Sequence, residues 1–162
     1  MSPLPLRLVL GAAIVMSASS AAAQPTPASA GTIYEYAVKF ICGTGDGRVV
    51  ARGVYFTAIN VHNPALGVIA LRKKFAVALP SEKSGPISNF FGTRLRPDEA
   101  LEIECANIRE HLRSTATFVT GFAVIQSRTP LDVVAVYTAA GSTQQIQTME
   151  MERVPPRMTT SG

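Results

Sequence analysis

The stretch Ile33-Tyr34-Glu35-Tyr36-Ala37-Val38-Lys39-Phe40-Ile41-Cys42 decides the reading of the fold. Tyr34, Tyr36, Val38, Phe40 and Cys42 alternate with Glu35, Ala37, Lys39 and Ile41, a period of two that belongs to a half-buried strand and not to a helix face. The turn Gly43 to Gly47 follows, and its Asp46-Gly47 pair tolerates the positive φ of a tight hairpin. A second strand is predicted from Val49 to His62, with Gly53 at a bulge or bend, and Asn63-Pro64 stops it.

The same alternation recurs downstream. Val68 to Leu79 sets Ile69, Leu71, Phe75, Val77 and Leu79 against Arg72 and Lys74, and Pro80 ends the run. Glu99 to Cys105, Thr117 to Gln126, Leu131 to Ala139 and Gln144 to Val154 complete the set, with turn residues between them. One short helical turn is predicted at Asn107 to Leu112, with Asn107 as its cap. About seven to eight short strands in one domain imply an all-β fold, an antiparallel β-sandwich or else a closed barrel. The unequal strand lengths favour the sandwich, and runs such as Thr117 to Ile125 look buried on both sides.

The 162 residues, 47% hydrophobic and 16% charged, suit one globular domain and exclude a chain that is mostly disordered. Residues 1–23 read as a signal peptide: Arg7, then the apolar run Leu8 to Met16, then Ala21-Ala22-Ala23. Cleavage there starts the mature chain at Gln24. A second Ala-x-Ala at Ala28 to Ala30 would start it at Gly31 instead. Residues 24–32 are a flexible leader, 33–155 the sandwich and 156–162 a disordered tail. Loss of Arg7 takes the formal net charge from +4 to +3, too mild to imply nucleic acid. No run is long enough for a membrane span. The expected location is the periplasm or the medium. The cluster Arg72-Lys73-Lys74 reads as a solvated strand face, with attraction to anionic headgroups or cell-wall polymers as the alternative.

Two cysteines in an exported chain pair as a disulfide, and Cys42–Cys105 would contribute about 4 kcal/mol by closing its long loop. The pairing also constrains topology. Strands that simply alternate direction would leave Cys42 and Cys105 at opposite ends, so an extra strand between Ile87 and Leu95 is required. With it, Asn60, His62, Asn63, Arg96, Asp98, Arg128 and Arg153 gather at the other end.

That end is the candidate ligand site, with Asn60, His62, Arg96 and Arg128 as its binding residues. The competing reading of Asn60 and His62 is a polar cluster that caps turns. His111 is assigned to the helix surface. No metal is expected, because no His-x-His, Cys-x-x-Cys or His-Glu-x-x-His occurs. Met149 and Met151 lie one strand period apart, and core or edge packing competes with a soft copper site. Glu102 and Glu104 are also one period apart, which alternation alone explains. No Gly-x-Ser-x-Gly elbow or dinucleotide loop is present, and no cofactor is expected.

Tyr34 to Gly43, Thr57 to Pro64 and Pro130 to Thr138 resemble small exported bacterial β-sandwich proteins of unassigned function. Val124-Ile125-Gln126-Ser127-Arg128-Thr129-Pro130-Leu131 is similar to a strand-turn-strand of the sensory rhodopsin transducer family. That second resemblance implies a β-sandwich that assembles into oligomers. The signal peptide and the cysteine pair depart from that cytoplasmic family, so its partners are not carried over.

The functional expectation is an exported, non-enzymatic binding or protein-interaction module of the cell envelope, with a homo-oligomer as one form. A small-molecule or anion-binding module using strand-end loops is the alternative, followed by an enzyme of unrecognised type.

Overall fold

In the computed structural model the described residues are 31–141 and 146–160, so the segment read as a signal peptide, most of the expected leader, Ser142 to Gln145 and the last two residues lie outside them. In chain order the elements are β1 (Thr32–Gly45), β2 (Gly53–His62), β3 (Ile69–Leu79), β4 (Lys83–Ile87), β5 (Phe91–Leu95) and β6 (Ala100–Glu104). Helix α1 (Cys105–Leu112), β7 (Phe118–Ser127), β8 (Asp132–Ala140), β9 (Ile146–Arg153) and β10 (Arg157–Thr160) follow. All pairings are antiparallel.

The fold is all-β, as the alternation implies, but the described residues hold ten strands rather than seven or eight, in one hydrogen-bonded sheet instead of two. The central order is β4-β3-β7-β1-β2-β8-β9, with β5 on β3, β6 on β2 and β10 on β1. The sheet is continuous because β1 changes partners along its length. It pairs with β7 from Tyr34 to Gly43 and with β2 only at Gly43 to Gly45.

Beyond that short ladder β1 and β2 diverge, and a side chain completes the backbone bonding. Thr57 Oγ1 accepts from the Ile41 amide at 2.9 Å and donates to the Ile41 carbonyl at 3.1 Å. Gly43 marks the fork, with φ of 104° and a Cβ position only 2.0 Å from the Thr117 carbonyl oxygen, so only glycine fits there.

The fork divides the sheet into a half built on β3, β7 and β1 and a half built on β2, β8 and β9, which share one core. Tyr36, Val38, Phe40 and Cys42 are fully buried, as their alternation requires, against Phe75, Ile125, Ile59, Ile103, Ile108 and Val133. Three of the ties that cross between the halves, besides packing, start from β1. One is the Thr57 bridge. Another is Tyr36, whose hydroxyl donates to the Leu131 carbonyl at 2.9 Å and accepts from the Leu131 amide at 2.7 Å. The third is the disulfide Cys42–Cys105, with Cα atoms 5.5 Å apart.

The parity argument holds in an amended form. β3 runs with β1 because both are antiparallel to β7, and β6 runs with β1 because both are antiparallel to β2. The return between β3 and β6 is one interrupted strand. β4 and β5 both pair with β3, and Ser88 bridges the break by accepting from the Phe75 amide through Oγ and donating its own amide to the Phe75 carbonyl.

Three local expectations need correction. The helix starts at Cys105 with Glu104 as its cap, and Asn107 is the third helical residue, accepting from the Glu104 amide through Oδ1. The tail assigned from Pro156 onward contains β10, which pairs Thr160 with Thr32 and Arg157 with Glu35. β7 is buried on its inner face only, since Phe122 on the outer face is 43% exposed.

Candidate functional site

At the end of the sheet away from the disulfide, β2, β5, β7 and β9 finish and β8 begins. Asn63 is fully buried there and already engaged. Its Nδ2 donates to the carbonyls of Gly67, Leu95 and Arg96, and its Oδ1 accepts from the Ala65 amide. With its backbone bonded to Asp98 and Glu99, Asn63 staples the β2–β3 loop to the β5–β6 turn. This is capping, the work Asn does at turns.

His62 stands beside this staple. Its Nδ1 is 3.3 Å from Asp132 Oδ2 and its Nε2 is 3.9 Å from Asp98 Oδ1. Arg153 Nη2 donates to the other Asp132 oxygen at 2.7 Å. The His62 ring thus faces two carboxylates, one on β8 and one in the β5–β6 turn. Asp132 was not singled out from the sequence. It faces His62 because β8 pairs with β2 at that register, and register between strands so far apart in the chain leaves no local signal.

The four candidate residues share this end of the sheet without converging. Asn60 and His62 point the same way from β2, one pleat period apart, and both are half-buried. Arg96 is bound into the β5–β6 turn, where its Nε and its amide both donate to Glu99 at 2.6 Å. These bonds hold the exposed Glu99 carboxyl below its ordinary range. Arg128 lies against Gly31 at the start of β1. It lines a groove of about 600 Å³ with Arg72 and Gln126 over Ile33 and Val68.

The outer face of β2, β8 and β9, which carries Asn60, His62 and Asp132 at one end, is open and largely apolar at the other. The register sets Phe56, Thr138 and Met149 in one row and Ala58, Val136 and Met151 in the next. Phe56, Met149 and Met151 are 53, 63 and 70% exposed, so the methionines fill no core gap. A recess of about 250 Å³ lies between Phe56, Val136, Glu104 and Cys105. Beyond it all eight residues of β9 are exposed, and β9 pairs with β8 along one edge. Around the edge Tyr137 donates to Glu152 at 3.0 Å. Burial, that bond and the charges of Glu152 and Glu150 push its phenol far above the ordinary value, so it stays protonated.

Glu102 and Glu104 face solvent, and His111 is exposed on α1 with its ring stacked on Phe91 at 3.8 Å. Among the described residues no group of three or more His, Cys, Asp or Glu side chains is placed to hold a metal. No helix there is long and apolar enough to cross a membrane.

The chain matches no family model and no curated protein. Among solved structures it is similar to Thermotoga maritima 1070, at 10% identity and a TM-score of 0.48, over 78% of this chain and 95% of that one. A likeness that distant carries no argument about function.

Proposed function

We propose that this protein is an exported, non-enzymatic binding module that holds a protein partner against the outer face of β2, β8 and β9. The observation that carries the reading is the exposed patch of Phe56, Met149 and Met151, which spans two adjacent rows and reaches β9 at the end of the strand order. Exposed aromatic and methionine side chains in one patch are enriched at interfaces, and an unpaired edge offers backbone donors and acceptors as well. The disulfide fits an oxidising compartment.

The test places a photo-crosslinking residue at position 151 in the living cell, with position 83 on β4 as the control. A discrete adduct from position 151 alone is expected, and no adduct from 151, or the same adduct from both, overturns the reading. Intact mass checks export: the chain should begin at Gln24 or Gly31.

The groove between Arg72 and Arg128 favours a second reading, an anion-binding module. Titration calorimetry with inorganic phosphate should then give a binding heat that Arg128→Ala removes. No heat in the parent protein would dismiss it.

A further inference from the structure

The charges divide between the two halves of the sheet. β3, β4, β5 and β10 carry Arg72, Lys73, Lys74, Lys83, Arg94 and Arg157 and no acidic residue. β6, β8 and β9 carry Glu102, Glu104, Asp132, Glu150 and Glu152 against Arg153 alone.

Register gathers most of the cations onto one surface, because residues directly opposite in a ladder point to the same side. Arg72, Gln126, Glu35 and Arg157 form one row across β3, β7, β1 and β10. Lys74, Val124 and Ala37 form the next, and Ala76, Phe122 and Lys39 the one beyond. Arg94 stands beside Ala70 on the same side. The carboxylate in these rows is already engaged: Gln126 Nε2 donates to one Glu35 oxygen at 2.7 Å and Arg157 Nη2 to the other at 2.8 Å. Arg72 Nε in turn donates to Gln126 at 2.8 Å.

Two phenylalanine rings rise among the cations. Lys39 Nζ is 5.1 Å from the centroid of Phe122, while Arg72 and Lys74 lie 4.5 and 4.7 Å from that of Phe90. The rings are 43 and 37% exposed. The polar side chains in the first row are largely bonded to one another, and Ala, Val and Phe fill the space between the remaining cations. Such a face offers diffuse positive charge and apolar rings rather than a fixed pattern of donors and acceptors. That chemistry matches a fluid layer of lipid phosphates over acyl chains, where charge and apolar insertion add. An acidic protein would instead be read by directional hydrogen bonds.

We propose that the outer face of β3, β7 and β1 is a docking surface for an anionic lipid bilayer, with Phe90 and Phe122 at the headgroup boundary and Lys39, Arg72, Lys74 and Arg94 against the phosphates. Glu102, Glu104 and Asp132 lie on the outer face of β2, β6 and β8 together with Phe56, whereas Glu150 and Glu152 line a groove with Lys39 at the margin of the proposed surface. The proposal does not rest on that second face.

The test is co-sedimentation of the purified protein with vesicles of equal parts phosphatidylglycerol and phosphatidylcholine, beside vesicles of phosphatidylcholine alone. Binding to the anionic vesicles only is expected, weakening as salt is raised. Each cation near an anionic surface is worth about fivefold in partitioning, so the triple variant Lys39→Gln, Arg72→Gln, Lys74→Gln should bind about a hundredfold less. Phe90→Ser with Phe122→Ser should also weaken binding, and circular dichroism shows that each variant keeps its strands. No binding to anionic vesicles, equal binding to both kinds, or undiminished binding by the triple variant overturns the proposal. Binding to soluble polyglutamate but not to vesicles also overturns it and assigns the face to an acidic protein.

Discussion

The half of the sheet built on β3, β7 and β1 and the half built on β2, β8 and β9 bury the same kinds of side chain and present opposite surfaces. Inside, Phe75, Ile125 and Val38 meet Ile59, Val133 and Ile103 in one core. Outside, the first half shows Arg72, Lys74 and Lys39 around Phe90 and Phe122, and the second shows Phe56, Met149 and Met151 with acidic residues at its margins. Core packing accounts for the shared inner faces and leaves the outer faces unconstrained, since a surface away from special features contributes little to stability. The contrast between the outer faces therefore points to two different uses.

Cutting the ties between the halves should have the largest effects. The double variant Cys42→Ser, Cys105→Ser is expected to lose about 4 kcal/mol in urea unfolding, from the loop that the bridge closes. A loss below about 1 kcal/mol would mean that packing alone joins the halves. Tyr36→Phe should cost roughly 2 kcal/mol, because it leaves the buried Leu131 amide and carbonyl without their partner. Faster amide hydrogen exchange at Leu131 would locate that loss.

A smaller effect should sharpen the electrostatic side of the comparison. Lys73 sits half-buried on the inner side of β3 with its ammonium 5.3 Å from the Phe91 ring centroid, and burial lowers its pKa from 10.5. Between the lowered folded value and 10.5 the unfolded chain holds a proton that the folded one has released. Stability therefore rises with pH through that window. Burial lowers Lys39 as well and raises Tyr36 and Tyr137, the two tyrosines acting the opposite way. Lys73→Met should therefore remove only the part of the slope that Lys73 supplies and stabilise the protein at neutral pH by less than about 1 kcal/mol, the partly exposed amine being screened. Profiles of equal slope in parent and variant would show that Lys73 is fully hydrated. The smallest effect should come from Met149→Lys, which should leave stability within about 0.5 kcal/mol while abolishing the crosslink from position 151 to the proposed partner. A large drop in stability would mean that Met149 packs rather than binds.

The candidate site was legible only in part. Asn60 and His62 share a face because the pleat repeats every two residues, and that can be read from two positions in one strand. That Arg96 is consumed by Glu99 is a contact within one turn, whereas that Asp132 faces His62 and that Arg128 lines a groove with Arg72 depend on elements distant in the chain. Of the basic face only the cluster Arg72-Lys73-Lys74 was legible, with attraction to anionic headgroups as its alternative reading, and its wider extent was not, for the same reason. Lys39, Arg72 and Arg157 belong to three separate strands, and only the ladders of β3, β7, β1 and β10 bring them onto one surface.

By itself the sequence determined the strands other than β4 and β10, the inward set on β1 and the cysteine pair with the reversal of direction that it demands. Each follows from local alternation or from the reach of a disulfide, and neither needs a partner strand to be named. Only the tertiary structure decided that β1 serves two halves of one continuous sheet, that β4 and β5 act as a single interrupted return, and that Arg157 closes a row begun at Arg72. These depend on which strand lies beside which, and that choice is made by the shared burial of a core that no single segment encloses.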